Sequence, residues 1–223
     1  MNSKAVDDVA NQILRSQQNP LNPLSSSALD EETARAEVYG LLAALYYAPP
    51  SAEILAQIRA AATEAPVAGG FLQAPWHDLV AAARTVTDAA IRDEYNTLFM
   101  GMGKPEVYLF GSHYLSGFLN EKPLAALRGE LGRLGLARDD AMSETEDHIA
   151  YLCEVMRYLI AGDDVAIANL TAQQKFYNDH LQPWVLTLCD AIAAHPKALF
   201  YAALAEFTRA FVSVETQGFD MLA

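Results

Sequence analysis

Apolar and polar residues recur along this chain with the three-to-four-residue spacing of helices that each bury one face. The pattern is clearest in one segment, whose apolar positions are Ile149, Leu152, Cys153, Met156, Leu159 and Ile160. Before them, Ser143 is a good N-cap residue, and Glu146, three positions later, completes a capping box. We therefore predict a buried helix from Ser143 to about residue 160. Its first turn would bring Glu144, Asp147 and His148 onto neighbouring positions.

The same spacing predicts helices through most of the remaining chain. Their expected bounds are 30–47, a second helix capped by Ser51, 75–86, 88–100, 123–135, 163–181, and two more opened by Pro183 and Pro196. Strand-like alternation of β-branched residues is almost absent, so we predict a compact all-α bundle of about ten helices.

Residues 101–117 form the one long irregular stretch between these helices, with glycines, a proline and aromatic residues close together. Such a stretch is typical of a hinge or a binding loop, and domain swapping could proceed through it. Residues 1–28 are rich in Asn, Gln, Ser and Pro and predict a mobile tail. We expect residues 29–223 to form one helical domain, although 101–117 could also divide two helical lobes.

The formal net charge of −13 makes nucleic acid a poor partner and a basic peptide a better one. The first residues lack an apolar signal region, and no apolar run approaches the roughly 20 residues of a membrane span. The two cysteines show no metal-binding spacing, so we interpret them as free thiols in a reducing compartment. These features predict a cytoplasmic protein without stable membrane insertion.

The sequence does not match the catalytic or metal-binding motifs that its residues first suggest. Gly101 to Lys104 is followed by Pro105 rather than Ser or Thr, which argues against a Walker phosphate loop. Glu144 and His148 could coordinate a metal, but a helical di-iron site needs paired Glu-x-x-His helices, and the sequence has no such motif. His180 lies among aromatic residues at helical spacing and is interpreted as a packing residue. We therefore expect no catalytic residue, metal or cofactor.

Five short patterns occur in a defined order along the chain. They are Glu94-Tyr95-x-x-Leu98-Phe99, Ser112-x-Tyr114, Glu144-x-Glu146-Asp147-His148, Phe176-x-x-x-His180-Leu181-x-Pro183-Trp184, and Phe200-Tyr201. This ordered set resembles the TorD/DmsD family of cytoplasmic chaperones for molybdenum-containing redox enzymes. The resemblance implies an all-helical chaperone that binds a molybdoenzyme precursor through its twin-arginine signal peptide. It also implies assistance with cofactor insertion before export.

This resemblance implies that the client binds to two regions. One is the acidic cluster of Glu144, Asp147 and His148, and the other is the loop after Phe99. The residues so implied are Glu144, Asp147, His148, Tyr108, Ser112 and Tyr114. Thr145 stands where the family usually has proline, a departure that should not remove function. Acids are frequent here, since residues 139–164 hold eight of them and one arginine. Guanidinium groups of a basic peptide bind carboxylates of fixed geometry.

Several alternatives remain open from sequence. The acidic cluster could simply cap a helix. Five apolar residues could line a groove for the apolar part of a signal peptide or could pack in the core: Tyr108, Phe110, Tyr114, Leu115 and Phe118. The protein could be an assembly factor for a redox subunit that is never exported, or a nucleotide-binding enzyme using Lys104. The segment from Gly101 to Ile160 looks most like relatives associated with formate dehydrogenases, and dimethyl sulfoxide, trimethylamine oxide and nitrate reductases remain open as clients. The chaperone would be a monomer or a domain-swapped dimer.

Overall fold

Helices account for most of the computed structural model, which describes residues 31–63, 70–101, 103–139 and 142–221. Within these residues there are ten α-helices and no strand. In chain order they are α1 (Glu31–Tyr47), α2 (Ala52–Ala60), α3 (Gln73–Thr85), α4 (Asp88–Tyr95), α5 (Gly111–Ser116), α6 (Lys122–Arg133), α7 (Ile149–Ala161), α8 (Leu170–His180), α9 (Gln182–Ala193) and α10 (Phe200–Asp220). A π-helical segment, Asn96–Met100, continues α4. The predicted all-α fold is confirmed.

Two helix starts show how capping residues set the bounds. The Ser51 hydroxyl accepts a hydrogen bond from the Ile54 N–H at 3.3 Å, so the predicted cap of α2 is confirmed. The prediction that the helix before Leu181 begins near residue 163 is wrong. Asn169 caps α8 by accepting from the Ala172 N–H at 3.0 Å, and the helix begins one residue later.

The central helix, α7, begins at Ile149 and not at Ser143 as predicted. Its N-cap is His148, whose Nδ1 accepts a hydrogen bond from the Ala150 N–H at 3.2 Å. Glu146 was expected to complete a capping box but instead binds an arginine of α6. The local capping signal is therefore overridden by tertiary partners, and the acids before α7 lie in a loop.

The chain divides into two compact units. The first unit comprises the described residues up to Tyr47 together with Leu109–Trp184. In it α1 packs along α7, α8 packs on α7, and α5 packs on α6. Its buried side chains are mostly aliphatic and aromatic, and they include Tyr39, Leu42, Leu152, Met156, Phe176 and Trp184.

The second unit comprises the described residues of Ala48–Tyr108 and Val185–Ala223. Here α10 packs against α3 and α4. Two of the sequence patterns meet in its core, because the ring of Tyr201 lies 5.8 Å from that of Tyr95 and 5.0 Å from that of Phe99. The aromatic residues of these two patterns therefore pack against each other in the core of this unit.

The stretch 101–117, predicted to be irregular, contains helix α5 at its end. Gly101 near its start has φ of 49°, and a Cβ there would lie 2.0 Å from the Lys104 carbonyl oxygen, so only glycine fits. One boundary between the units, after Tyr108, falls inside this stretch. The single domain and the hinge remain predictions.

Two further sequence predictions concern the N-terminal tail and membrane insertion. The tail predicted for residues 1–28 lies outside the described residues. None of the helices that the structure describes is both long enough and apolar enough to cross a membrane.

Candidate functional site

The start of α5 and the loop before α7 are joined by backbone hydrogen bonds in the first unit. Phe110 and His148 form an isolated antiparallel bridge. The Gly111 N–H donates to the Asp147 carbonyl at 2.9 Å, and the Ile149 N–H donates to the Leu109 carbonyl at 2.8 Å. This pairing brings two patterns together that are more than 30 residues apart in sequence.

The Asp147 carboxylate is buried at this junction, with 3% of the residue exposed. One oxygen accepts from the Ser112 N–H at 2.9 Å, in the first turn of α5, and the other accepts from the Thr145 hydroxyl at 2.6 Å. Both donors are neutral. Arg128 attracts Asp147 electrostatically, but its guanidinium is bound by both oxygens of Glu146, at 3.0 and 2.9 Å. Among the described residues Asp147 therefore has no cation bound to it.

His148 is equally buried, and aromatic rings surround it. Its ring centroid lies 5.0 Å from Phe110, 5.8 Å from Tyr151 and 6.4 Å from Tyr47. Burial lowers the pKa of His148 to about 3, against the smaller opposing effect of the Asp147 charge. The imidazole is therefore neutral at physiological pH and serves as a helix cap among aromatic rings.

A cavity of about 300 Å³ opens beside Asp147 in the first unit. We refer to it as the Asp147 pocket. Its polar lining consists of Ser112, Glu130, Arg133, Asp147, Asp179 and His180. Its apolar lining includes Leu115, Pro123, Ala126, Leu127, Leu152 and Trp184. Three carboxylates and one guanidinium give the lining an excess of negative charge, and its volume is at the small end of ligand pockets.

One part of this lining has the composition of a metal site. Carboxylate oxygens of Glu130 and Asp179 and a ring nitrogen of His180 lie within 4.8 Å of one another. The Lys175 ammonium, however, lies 3.2 Å from Glu130 and forms a closer contact, 2.5 Å, with Asp179. Arg133 also pairs with Glu130. Because amino-acid cations already neutralise both acids, the arrangement gives no support to a metal ion.

The aromatic wall of the pocket depends on a glycine. A Cβ on Gly111 would lie 3.0 Å from two atoms of the Trp184 indole. Trp184 is held in place by its indole N–H, which donates to the His180 carbonyl at 2.6 Å, and by Tyr114, which stacks on it with centroids 5.5 Å apart. The sequence around α5 thus allows a buried tryptophan to approach the backbone closely.

Exposed apolar side chains lie at the end of α5, where Leu115 also lines the pocket, and just after this helix. Phe118 is 70% exposed, and Leu115 and Leu119 are about two-fifths exposed. For Leu115 and Phe118 the core-packing interpretation is therefore wrong. Large exposed apolar side chains close to a polar pocket are typical of an interaction surface.

Comparison with known proteins shows to which family this chain belongs. A model of the family described as nitrate reductase delta subunit matches residues 70–190 of the chain. The chain belongs to this family. The chaperone protein TorD of Vibrio cholerae serotype O1 is 24% identical to it over 204 residues, covering 84% of the chain and 93% of the relative. TorD of Photobacterium profundum is 28% identical over 126 residues, covering 53% and 58%. The predicted resemblance to the TorD/DmsD family is confirmed.

The structure separates the residues that the TorD/DmsD resemblance implicated. Ser112 and Asp147 line the Asp147 pocket. Tyr114 stacks on Trp184, which lines the pocket, whereas His148 is outside the lining and packs against the ring of Phe110. Glu144 lies in the loop before α7, where its backbone carbonyl accepts a hydrogen bond from an arginine. Tyr108 belongs to the second unit. Their role in client binding remains a prediction.

Sequence reasoning missed Glu130 and underrated His180. Glu130 lies in α6, where a glutamate at helical spacing gives no signal of function. His180 was interpreted as packing, and its ring does lie 5.0 Å from Phe176. It also lines the Asp147 pocket. The TorD/DmsD pattern that contains His180 was the available signal, but the pattern alone does not show which way the ring faces.

Proposed function

We propose that this protein is a chaperone for the maturation of a molybdenum-containing redox enzyme. It binds the precursor of the catalytic subunit through a twin-arginine signal peptide and assists cofactor insertion before export. The relatives named as chaperones support the general role, and the expectation of a non-enzymatic protein agrees with their names. The signal peptide, the export step and the cytoplasmic location are parts of the proposal.

The observation that carries the proposal is the Asp147 pocket together with its exposed apolar edge. A twin-arginine signal peptide presents a cationic group followed by an apolar segment. The pocket offers a buried carboxylate, Asp147, to the first, and Leu115 and Phe118 offer apolar surface to the second. Both features lie in the first unit, and charge complementarity of this kind speeds and orients encounter.

The client itself is proposed from resemblance alone. We propose a formate dehydrogenase as the client, because the segment from Gly101 to Ile160 resembles chaperones associated with formate dehydrogenases. The chaperone acts as a monomer or as a dimer that swaps through residues 101–117.

An assembly factor that binds a non-exported redox subunit is the main alternative. It would use the same apolar surface but would not need a signal peptide. A nucleotide-binding enzyme using Lys104 is a further alternative, which the chaperone names of the relatives disfavour.

A pull-down of the tagged chain from its native host tests the proposal. We expect one molybdoenzyme catalytic subunit to be recovered, and recovery to be lost when that subunit's N-terminal signal is deleted. Recovery that survives the deletion would favour the assembly factor. Recovery of no redox enzyme would contradict both.

A further inference from the structure

Asp147 is a buried carboxylate that lacks a cation within the described residues. Its two hydrogen bonds come from the neutral Ser112 N–H and Thr145 hydroxyl. Buried charges in proteins are generally paired, because an unpaired one loses its hydration without compensation. Each carboxylate oxygen can accept a second hydrogen bond. The charge and the remaining lone pairs of Asp147 therefore favour a cationic guest.

Two further polar atoms in the pocket lining lack a partner within the described residues. They are the hydroxyl oxygen of Ser112, a residue with 0% exposure, and Nε2 of His180. Buried polar atoms are almost always hydrogen-bonded in folded proteins, and those that are not mark a missing water, ion or ligand. Ser112 and His180 come from different helices, α5 and α8, so their convergence on one pocket is set by the fold.

The other charges of the pocket are already balanced. Lys175 and Arg133 neutralise Glu130 and Asp179, as described above. The unmatched charge in the lining is therefore that of Asp147. One monovalent cation completes the site, and a second would not find a free carboxylate there.

We propose that the Asp147 pocket binds a single arginine side chain of the client, with Asp147 supplying the charge and with Ser112 and His180 selecting arginine over lysine. This inference rests on the proposed function and names the group that the pocket takes. His180, which was interpreted from sequence as a packing residue, is here assigned to arginine binding. Ser112 is assigned the same role, as a hydrogen-bond acceptor for the guanidinium.

Guanidinium fits this lining better than ammonium for a geometric reason. It offers five N–H donors in one plane, whereas ammonium offers three around a point. A planar group can donate to the Asp147 carboxylate along one edge and to the Ser112 and His180 acceptors along others. The methylene groups of an arginine stem would lie against the apolar wall, where Leu115 and Leu127 are found.

The test measures binding of four synthetic peptides to the purified chain. Each is about 20 residues long, with two adjacent basic residues followed by a Leu-Ala segment. The basic pairs are arginine–arginine, arginine–lysine, lysine–arginine and lysine–lysine. We expect lysine at one of the two positions to weaken binding about tenfold, the effect of a lost charge-assisted hydrogen bond. Lysine at the other position should change it less than about threefold, as for an exposed charge.

Variants then assign this preference to residues. Ser112→Ala and His180→Phe should each reduce the arginine preference at the sensitive position to less than about threefold, because each variant weakens binding of the peptide with arginine there more than binding of the lysine–lysine peptide. His180→Gln restores an acceptor and should restore the preference. Ser143→Ala and His77→Phe are the matched controls, because both residues are exposed, and they should behave as wild type. Melting temperatures of all variants verify that each is folded.

Several results would overturn the inference. They are equal wild-type affinity for the four peptides, no binding of any of them, or an arginine preference that survives both Ser112→Ala and His180→Phe. A uniform loss for all peptides in folded variants would also overturn it. The proposed function fails separately, when the native host yields no redox precursor. A precursor that is recovered equally well after its arginines are changed to lysines defeats the inference alone.

Discussion

Glu94 and Tyr201 are 107 positions apart in sequence and are joined by a 2.7 Å hydrogen bond from the Tyr201 N–H to the Glu94 carboxylate. The same carboxylate accepts from the N–H groups of Leu199 and Phe200, at 2.9 and 3.1 Å. A glutamate of α4 thus caps the N-terminus of α10, which has no capping side chain of its own. The two sequence patterns that contain these residues belong together because one satisfies the backbone of the other.

Glu94→Ala should therefore destabilise the second unit. Three backbone N–H groups would lose their acceptor, and each unsatisfied buried donor costs about 1–3 kcal/mol before relaxation. We expect a net loss of at least about 2 kcal/mol in the free energy of unfolding, measured by urea denaturation. Glu206→Ala, which removes an exposed glutamate of α10, is the control and should change stability little. Equal stabilities of the two variants would contradict this account.

Asp147 has a structural role as well as the proposed binding role, and two substitutions separate them. Asp147→Ala removes the acceptor of the Ser112 N–H and should cost about 1–3 kcal/mol of stability. Asp147→Asn keeps an acceptor but loses the charge, so it should be more stable than the alanine variant while binding precursor about tenfold more weakly than wild type. Denaturation and pull-down measure the two effects. An asparagine variant that binds normally would rule out a charge-based role.

The buried His148 should make stability depend on pH. Its pKa is lowered to about 3 in the folded protein from an ordinary value of 6.5, so the unfolded chain takes up a proton first as pH falls. Its contribution is fully present above pH 6.5 and is lost as pH falls toward 3. Between pH 7 and pH 5 the loss is about 2 kcal/mol.

Denaturation at several pH values tests the His148 contribution. His148→Asn retains a capping acceptor without the titration, so stability should fall less steeply below pH 6.5. Some slope will remain, because burial also lowers the pKa of His180. His77→Asn, which replaces an exposed histidine, is the control. An unchanged slope in His148→Asn would show that His148 is not the group responsible.

Gly111→Ala should damage the wall of the Asp147 pocket. The added methyl group would approach the Trp184 indole at 3.0 Å, and a buried indole held by its own hydrogen bond cannot move away freely. Overpacking of this kind costs about 1–3 kcal/mol, so both melting temperature and precursor binding should fall. Gly132→Ala is the control, because a Cβ there meets no atom within 4 Å, and an added alanine in α6 should stabilise slightly. A Gly111→Ala variant as stable as wild type would contradict the packing argument.

Phe118→Ser tests the exposed apolar edge. Because Phe118 is 70% exposed, its loss should leave the free energy of unfolding within about 0.5 kcal/mol of wild type. If the client covers this surface, precursor binding should weaken about tenfold, the scale of an aromatic interface residue. Phe71→Ser, at an even more exposed aromatic of the second unit, should bind as wild type. Equal binding by both variants would exclude Phe118 from the interface.

The sequence by itself determined the helical class and most helix positions. Apolar spacing locates a helix because it reports which face each segment buries, and Ser51 fixed an end because its cap is formed within one turn. The ordered patterns also indicated the TorD/DmsD family. Apolar spacing and caps depend on residues close together in sequence, and the family resemblance depends on the order of several short patterns. Neither requires information about tertiary contacts.

Tertiary structure decided the start of α7 and the composition of the pocket. Ser143 and Glu146 satisfy the local rules of a capping box, but Arg128 binds the Glu146 carboxylate, and the Phe110–His148 bridge holds the residue before α7 in an extended conformation. His180 and Ser112 converge only because α8 and α5 pack in the same unit. Periodicity predicts which residues are buried, whereas which buried polar atoms face one another depends on packing between distant segments.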